Sequence, residues 1–147
     1  LRKMAALDSG VVRYIVVHCS ATPPSMDIGV AEIDRWHRQR GFLKIGYHRV
    51  IRRDGTVEEG RAWDEVGAHV EGWNSVSVGI CLVGGIDDKG KPEDNFEPVQ
   101  KVILRAMLES LLVKFPKAQI IGHHDLNPHK ACPSFDVKAW WAKENAA

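Results

Sequence analysis

The sequence predicts an α/β domain in which a central mixed β-sheet is flanked by helices. Three observations carry this expectation. Apolar, β-branched runs interleave with stretches of helical periodicity. A hairpin sits among them, which adds an antiparallel pair to an otherwise crossover-rich pattern. The chain has 147 residues, 44% apolar and 27% charged, which suits one domain around one core. A short extension over 1–13 followed by a domain over 14–143 is the expected organisation. There is no internal repeat, low-complexity segment or linker.

The elements follow in order. "VVRYIVVH", Val11 to His18, is β-branched and reads as a buried strand, broken by "ATPPS". In "VAEIDRWHRQRG", Val30, Ile33, Trp36 and His37 fall at helical spacing and Gly41 provides a stop. "YHRVIRRDGTVEEG" reads as a hairpin turning at Asp54-Gly55. "SVSVGICLVGG" is a second central strand, closed by Gly84 and Gly85, and a polar loop follows it. From about Phe96 to Phe115 runs the longest amphipathic helix. Val99, Val102, Ile103, Ala106, Leu108, Leu111 and Leu112 are expected to face inward, and Pro116 to end it. "AQIIG" is a short strand. "FDVKAWWAKE" forms a last helix with Asp136 near its N-terminus, where a negative charge suits the dipole.

Composition excludes several classes. With a net charge of +1 and a pI near 7.9 there is no global electrostatic case for nucleic acid or membrane. No apolar run approaches the roughly 20 residues of a spanning helix. "LRKMAALDSG" is too short and polar for a signal peptide, so synthesis in the cytoplasm is expected, and the chain is expected to be a monomer. Three cysteines, an odd number, argue against a disulfide framework. Cys81 lies in an apolar run and reads as an inert buried thiol, whereas Cys19 and Cys132 each lie beside histidines.

The chemistry concentrates in "IIGHHDLNPHKACPSFD", which holds His123, His124, His129, Lys130 and Cys132. His18 ends the first strand and His123 the short strand "QIIGH". Ends of neighbouring strands can converge, so His18, His123 and Cys132 can meet. Two imidazoles and a thiolate, with a fourth position for water, make a catalytic zinc pattern. Adjacent strand residues point to opposite faces, so only one of His123 and His124 should reach a given metal. Tyr47 and Lys130 are candidate donors to an oxyanion beside it. The residues alone leave other readings open: a capped surface histidine, an incidental cysteine, a half-buried strand tyrosine and a solvated lysine. The spacing lacks the regularity of H-E-x-x-H or C-x-x-C.

Longer motifs narrow the choice. "VHCSAT", "GYHRVIRRDGTVEEGR", "GAHVEGWNSVSVGICLVGGIDDKGK" and "GHHDLNPHKACPSFD" resemble the type 2 zinc N-acetylmuramoyl-L-alanine amidases. That family includes the peptidoglycan recognition proteins, and the likeness extends to the small amidase endolysins of T-seven-type bacteriophages. It covers roughly Tyr14 to Trp141. The resemblance implies the amidase type 2 fold, with one zinc ion held by His18, His123 and Cys132. It implies that Tyr47 and Lys130 are catalytic, and that Ala68, His69, Gly72 and Asn74, together with His48, belong to the substrate cleft. It implies hydrolysis of the amide between the lactyl group of N-acetylmuramic acid and L-alanine in peptidoglycan. The role would be a bacteriolytic phage endolysin that reaches the wall after release from the host cytoplasm. In "LNPHKAC", His129 looks inserted relative to the phage pattern and is expected not to be a ligand. Two alternatives accompany the resemblance: a peptidoglycan-binding module without catalysis, and an added role as inhibitor of a phage RNA polymerase. Direct binding of nucleic acid or membrane is not expected.

Overall fold

A computed structural model describes residues 4–145. Five strands form one sheet in the order β3-β2-β4-β1-β5. Strand β1 is Tyr14–Cys19, β2 Arg49–Ile51, β3 Val57–Glu59, β4 Ser77–Leu82 and β5 Gln119–Gly122. β1 pairs in parallel with both β4 and β5, and β2 pairs in parallel with β4. The hairpin supplies the antiparallel pair β2–β3, so the sheet is mixed as expected. Its turn is fixed by local chemistry. Asp54 Oδ1 accepts the Thr56 N–H at 2.9 Å, and Gly55 supplies the positive φ of +90°.

Helices cover both faces. α1 is Val30–Gln39, α2 Pro98–Lys114, α3 His123–Leu126 and α4 Val137–Glu144. α2 starts with Pro98 in its first turn, and the Gln100 side chain accepts the Glu97 N–H at 2.8 Å. α4 is capped by Asp136, whose carboxylate accepts the Ala139 N–H at 3.1 Å.

On one face, Ile15, Val17, Val78, Ile80, Leu82 and Ile51 meet Leu104, Leu108, Leu111 and Phe115 from α2 and its end, and Val137 from α4. Leu7 and Val12 join this core, and the Leu7 N–H bonds the Asp64 carbonyl at 2.7 Å. Leu1 to Lys3, which the expected extension includes, lie outside the described residues. The other face carries two smaller clusters. One gathers Ile28, Ile33, Ile45, Val50 and Cys81; the other gathers Val16, Val70 and Ile121.

The inward stripe of α2 differs from the expectation. Val99 and Val102 are 41% and 65% exposed, and Ala106 is exposed as well. Leu108, Leu111, Ile103 and Leu112 do pack on the core, joined by Leu104, Met107 and the fully buried Gln100. The buried amide has partners, which is why burial is tolerated: Gln100 Nε2 donates to the carbonyls of Val83 at 3.0 Å and Ile51 at 3.2 Å. Among the described residues no helix is long and apolar enough to cross a membrane.

Candidate metal centre and cleft

His18 is the fifth residue of β1 and is 1% exposed. Its register partner on β4 is Cys81, and both lie near the C-terminal ends of parallel strands. His123 follows β5 directly. It opens the short helix α3 rather than ending the strand, a correction to the sequence reading. The turn forms because the Asp125 carboxylate accepts the Gly122 N–H at 2.8 Å. Helical spacing, not strand alternation, therefore separates His123 from His124. His124 pairs with the Asp125 carboxylate at 3.3 Å, and its backbone N–H donates to the Cys132 carbonyl at 3.0 Å.

That last bond folds the loop back. The Ser134 hydroxyl donates to the Gly85 carbonyl at 2.7 Å, and the Cys19 N–H donates to Cys132 Sγ at 3.1 Å. These ties hold Cys132, 114 residues beyond His18, with Sγ 3.8 Å from His18 Nδ1. One ligand atom each from His18, His123 and Cys132 lies within 4.8 Å of the others, a group that could hold a metal ion. The donor set is two nitrogens and one sulfur, which suits zinc with one position left open. His129 is exposed and stands outside this group.

Electrostatics favour neutral imidazoles. Burial, then His69 and His123, hold His18 well below its usual range. Burial, then the Lys130 ammonium, lowers His123. The Cys19 thiol beside it, then burial, push the Cys132 thiol up in the metal-free chain. A cation would reverse that last shift by favouring thiolate.

A cleft of about 750 Å³ opens over the group. Tyr47, Ala68, His69, Gly72, Asn74, His123, Lys130 and Cys132 all line it. The Tyr47 ring lies 4.9 Å from the His18 ring, centroid to centroid. Burial, above all, raises the Tyr47 phenol well above its usual range, so its O–H stays a donor at neutral pH. Asn74 shapes the wall: its Oδ1 accepts the N–H groups of both His69 and Val70, at 2.8 and 2.9 Å.

His48 is not in the cleft, contrary to expectation. It is fully buried, and both ring nitrogens are taken by backbone. Nδ1 accepts the Gly79 N–H at 3.0 Å, and Nε2 donates to the Glu65 carbonyl at 2.7 Å. It fastens β4 to the loop after β3 and has no group left for substrate. Sequence reasoning missed Trp36, His37, Arg40 and Asn127, which also line the cleft. The signal for His37 was present, since Trp36 and His37 shared the helical stripe. Helical spacing by itself does not mark a cleft residue.

A mixed sheet that carries a His-His-Cys group able to hold a metal ion, beside an open cleft, suits a hydrolase. Residues 8–135 match the family model described as N-acetylmuramoyl-L-alanine amidase, and the chain belongs to that family. The endolysin of Klebsiella phage KP32 is 60% identical over 129 residues, 88% of this chain and 85% of its own length. The endolysin of Escherichia phage T7 is 56% identical over 129 residues, with the same coverage of each chain. Among solved structures, an endolysin N-acetylmuramoyl-L-alanine amidase from Clostridium intestinale superposes with a TM-score of 0.80 at 27% identity, covering 100% of this chain and 93% of its own.

Proposed function

We propose that the chain is a zinc-dependent N-acetylmuramoyl-L-alanine amidase of a phage lysis system. It cuts the amide between the lactyl group of N-acetylmuramic acid and L-alanine in peptidoglycan. The observation that carries the zinc reading is the convergence of His18, His123 and Cys132 donor atoms within 4.8 Å, with His123 and Cys132 lining the cleft. Family membership over most of the chain supports the substrate class.

The chain's own residues divide the work. His18, His123 and Cys132 would hold one zinc ion, which when bound supplies a hydroxide nucleophile at neutral pH and a Lewis acid for the carbonyl. Tyr47 donates its O–H to the oxyanion that develops as the amide carbon becomes tetrahedral. Lys130 stands at the same cleft wall and places an ammonium near that charge. The cleft walls contributed by α1, the 68–74 loop and the 127–132 loop orient the glycan and its peptide stem.

Zinc analysis combined with mass spectrometry of digested peptidoglycan tests this. One zinc per chain and new free amino groups on L-alanine are expected. New reducing sugar ends would mean a glycosidase, and wall binding without any cut would mean a recognition module. Inhibition of a phage RNA polymerase, the second role the resemblance implies, has a separate test in transcription by a cognate polymerase with and without the protein.

A further inference from the structure

A line of hydrogen bonds runs away from the metal centre through the wall of the cleft. His18 Nε2 lies 2.8 Å from His69 Nδ1. His69 Nε2 lies 3.2 Å from the Ser77 hydroxyl. The Ser77 hydroxyl lies 2.8 Å from the Trp73 carbonyl. The last link sets the direction of the others. A carbonyl can only accept, so the single Ser77 proton is committed to Trp73. Ser77 Oγ then faces His69 as an acceptor, and His69 carries its proton on Nε2. His69 Nδ1 is left bare and accepts from His18 Nε2–H. His18 Nδ1 is therefore the unprotonated nitrogen, and that is the nitrogen facing Cys132 Sγ at 3.8 Å. If Ser77 turned to donate to His69, every tautomer along the line would invert. His18 would then present an N–H to the metal position.

The fold gives the His69 ring a dedicated seat. A Cβ on Gly79 would stand 2.7 Å from His69 Cγ and Nδ1, and one on Gly67 would stand 2.6 Å from Cδ2. Both glycines therefore clear space for the imidazole. The His69 backbone is pinned by Asn74 Oδ1.

We infer that His69 is a positioning residue: with Ser77 and the Trp73 carbonyl it holds His18 in the Nε2–H tautomer, leaving Nδ1 free for the metal. This rests on the zinc reading above and gives His69 a task other than contact with substrate. An imidazole ligand's second nitrogen commonly needs such an acceptor, and its loss typically costs roughly 10-fold to 100-fold in metal affinity.

The test uses three variants of the full chain. His69→Leu removes the acceptor, Ser77→Ala removes the group that fixes the His69 proton, and His69→Asn keeps an acceptor near the Nδ1 position. Two readouts are taken: the tautomer of His18 in the metal-free protein, from nitrogen-15 NMR of the imidazoles, and zinc affinity by competition with a chelator. Thermal unfolding shows that each variant is folded. The wild type should show His18 unprotonated at Nδ1. His69→Leu should mix the His18 tautomers and weaken zinc roughly 10-fold to 100-fold. Ser77→Ala should do the same to a smaller degree, and His69→Asn should restore most of both signals. A wild-type His18 protonated at Nδ1 would overturn the inference. So would a His69→Leu variant with unchanged tautomer and zinc affinity but a raised KM for peptidoglycan, which would make His69 a substrate contact. A wild type with the expected tautomer that cuts peptidoglycan equally well without zinc would instead overturn the functional reading and leave the tautomer assignment standing.

Discussion

Along β1, Ile15 and Val17 enter the core under α2 and α4, while Val16 and His18 enter the opposite face, where the cleft lies. The same alternation recurs on β4, where Val78, Ile80 and Leu82 join that core and Ser77, Gly79 and Cys81 face the cleft side. One face is a continuous apolar layer. The other is broken into two clusters, with His18, His48 and His69 occupying the ground between them. Each histidine there is held by hydrogen bonds at fixed angles. The difference teaches that one sheet separates two requirements: area removed from water on one side, and directed polar contacts on the other.

That division can be broken from either side. The largest effect belongs to the metal group. Cys132→Ser should abolish hydrolysis of purified wall and strip zinc, while urea unfolding of the metal-free chain stays near wild type. Full activity in a zinc-free protein would end the metal reading. Next come Tyr47→Phe and Lys130→Ala. Each should lose roughly 100-fold to 1000-fold in kcat with zinc content intact, because an oxyanion donor acts on the transition state. Near-normal turnover in either removes that residue from the mechanism.

The apolar face should respond in the opposite currency. Leu108 is fully buried, and Leu108→Ala should destabilise by roughly 2–5 kcal/mol in urea unfolding. The folded fraction should keep its specific activity, and a selective loss of turnover would mean that the two faces are coupled. A smaller effect is expected with acid. Burial, chiefly, lowers His37 and His48 to about 4. The unfolded chain therefore takes up protons below about pH 6.5 that the folded chain refuses. Stability should be full above that pH and fall as pH drops toward 4, by an order of 3 kcal/mol for the deeply buried His48 and by less for His37. A flat profile across this window would show that neither ring is held neutral. The smallest effect is His129→Ala, which should leave both zinc content and activity at wild-type values, since His129 is exposed and outside the donor group.

Much of this was legible beforehand, for physical reasons. β1, β4 and the hairpin are written in β-branched runs and in Asp54-Gly55, and those signals are local. The long family motifs pointed to Tyr47, His123, Lys130 and Cys132, which line one cleft, and to His18, whose ring nitrogen lies 3.8 Å from Cys132 Sγ. What escaped depends on partners distant in sequence. Gln100 is not among the expected inward residues, because the carbonyls that satisfy it belong to the distant Ile51 and Val83. Val99 and Val102 looked inward because hydrophobicity alone does not fix the rotation of a helix against a sheet. His48 looked like part of the site because its motif is shared, yet its two nitrogens are spent on the backbone. The seat that Gly67 and Gly79 clear for His69 has no signature in the local sequence.

β1 is the first strand to leave the ribosome, and it lies between β4 and β5, the last two to follow. At roughly 5–20 residues per second of synthesis, its open edges wait for seconds before both neighbours exist. His18 waits longer still, because Cys132 lies 114 residues downstream. A nascent chain that ends before that cysteine lacks the sulfur of the His18, His123 and Cys132 group, even when both imidazoles have been made. The donor group is thus completed in one late step, when the 127–132 loop has been made.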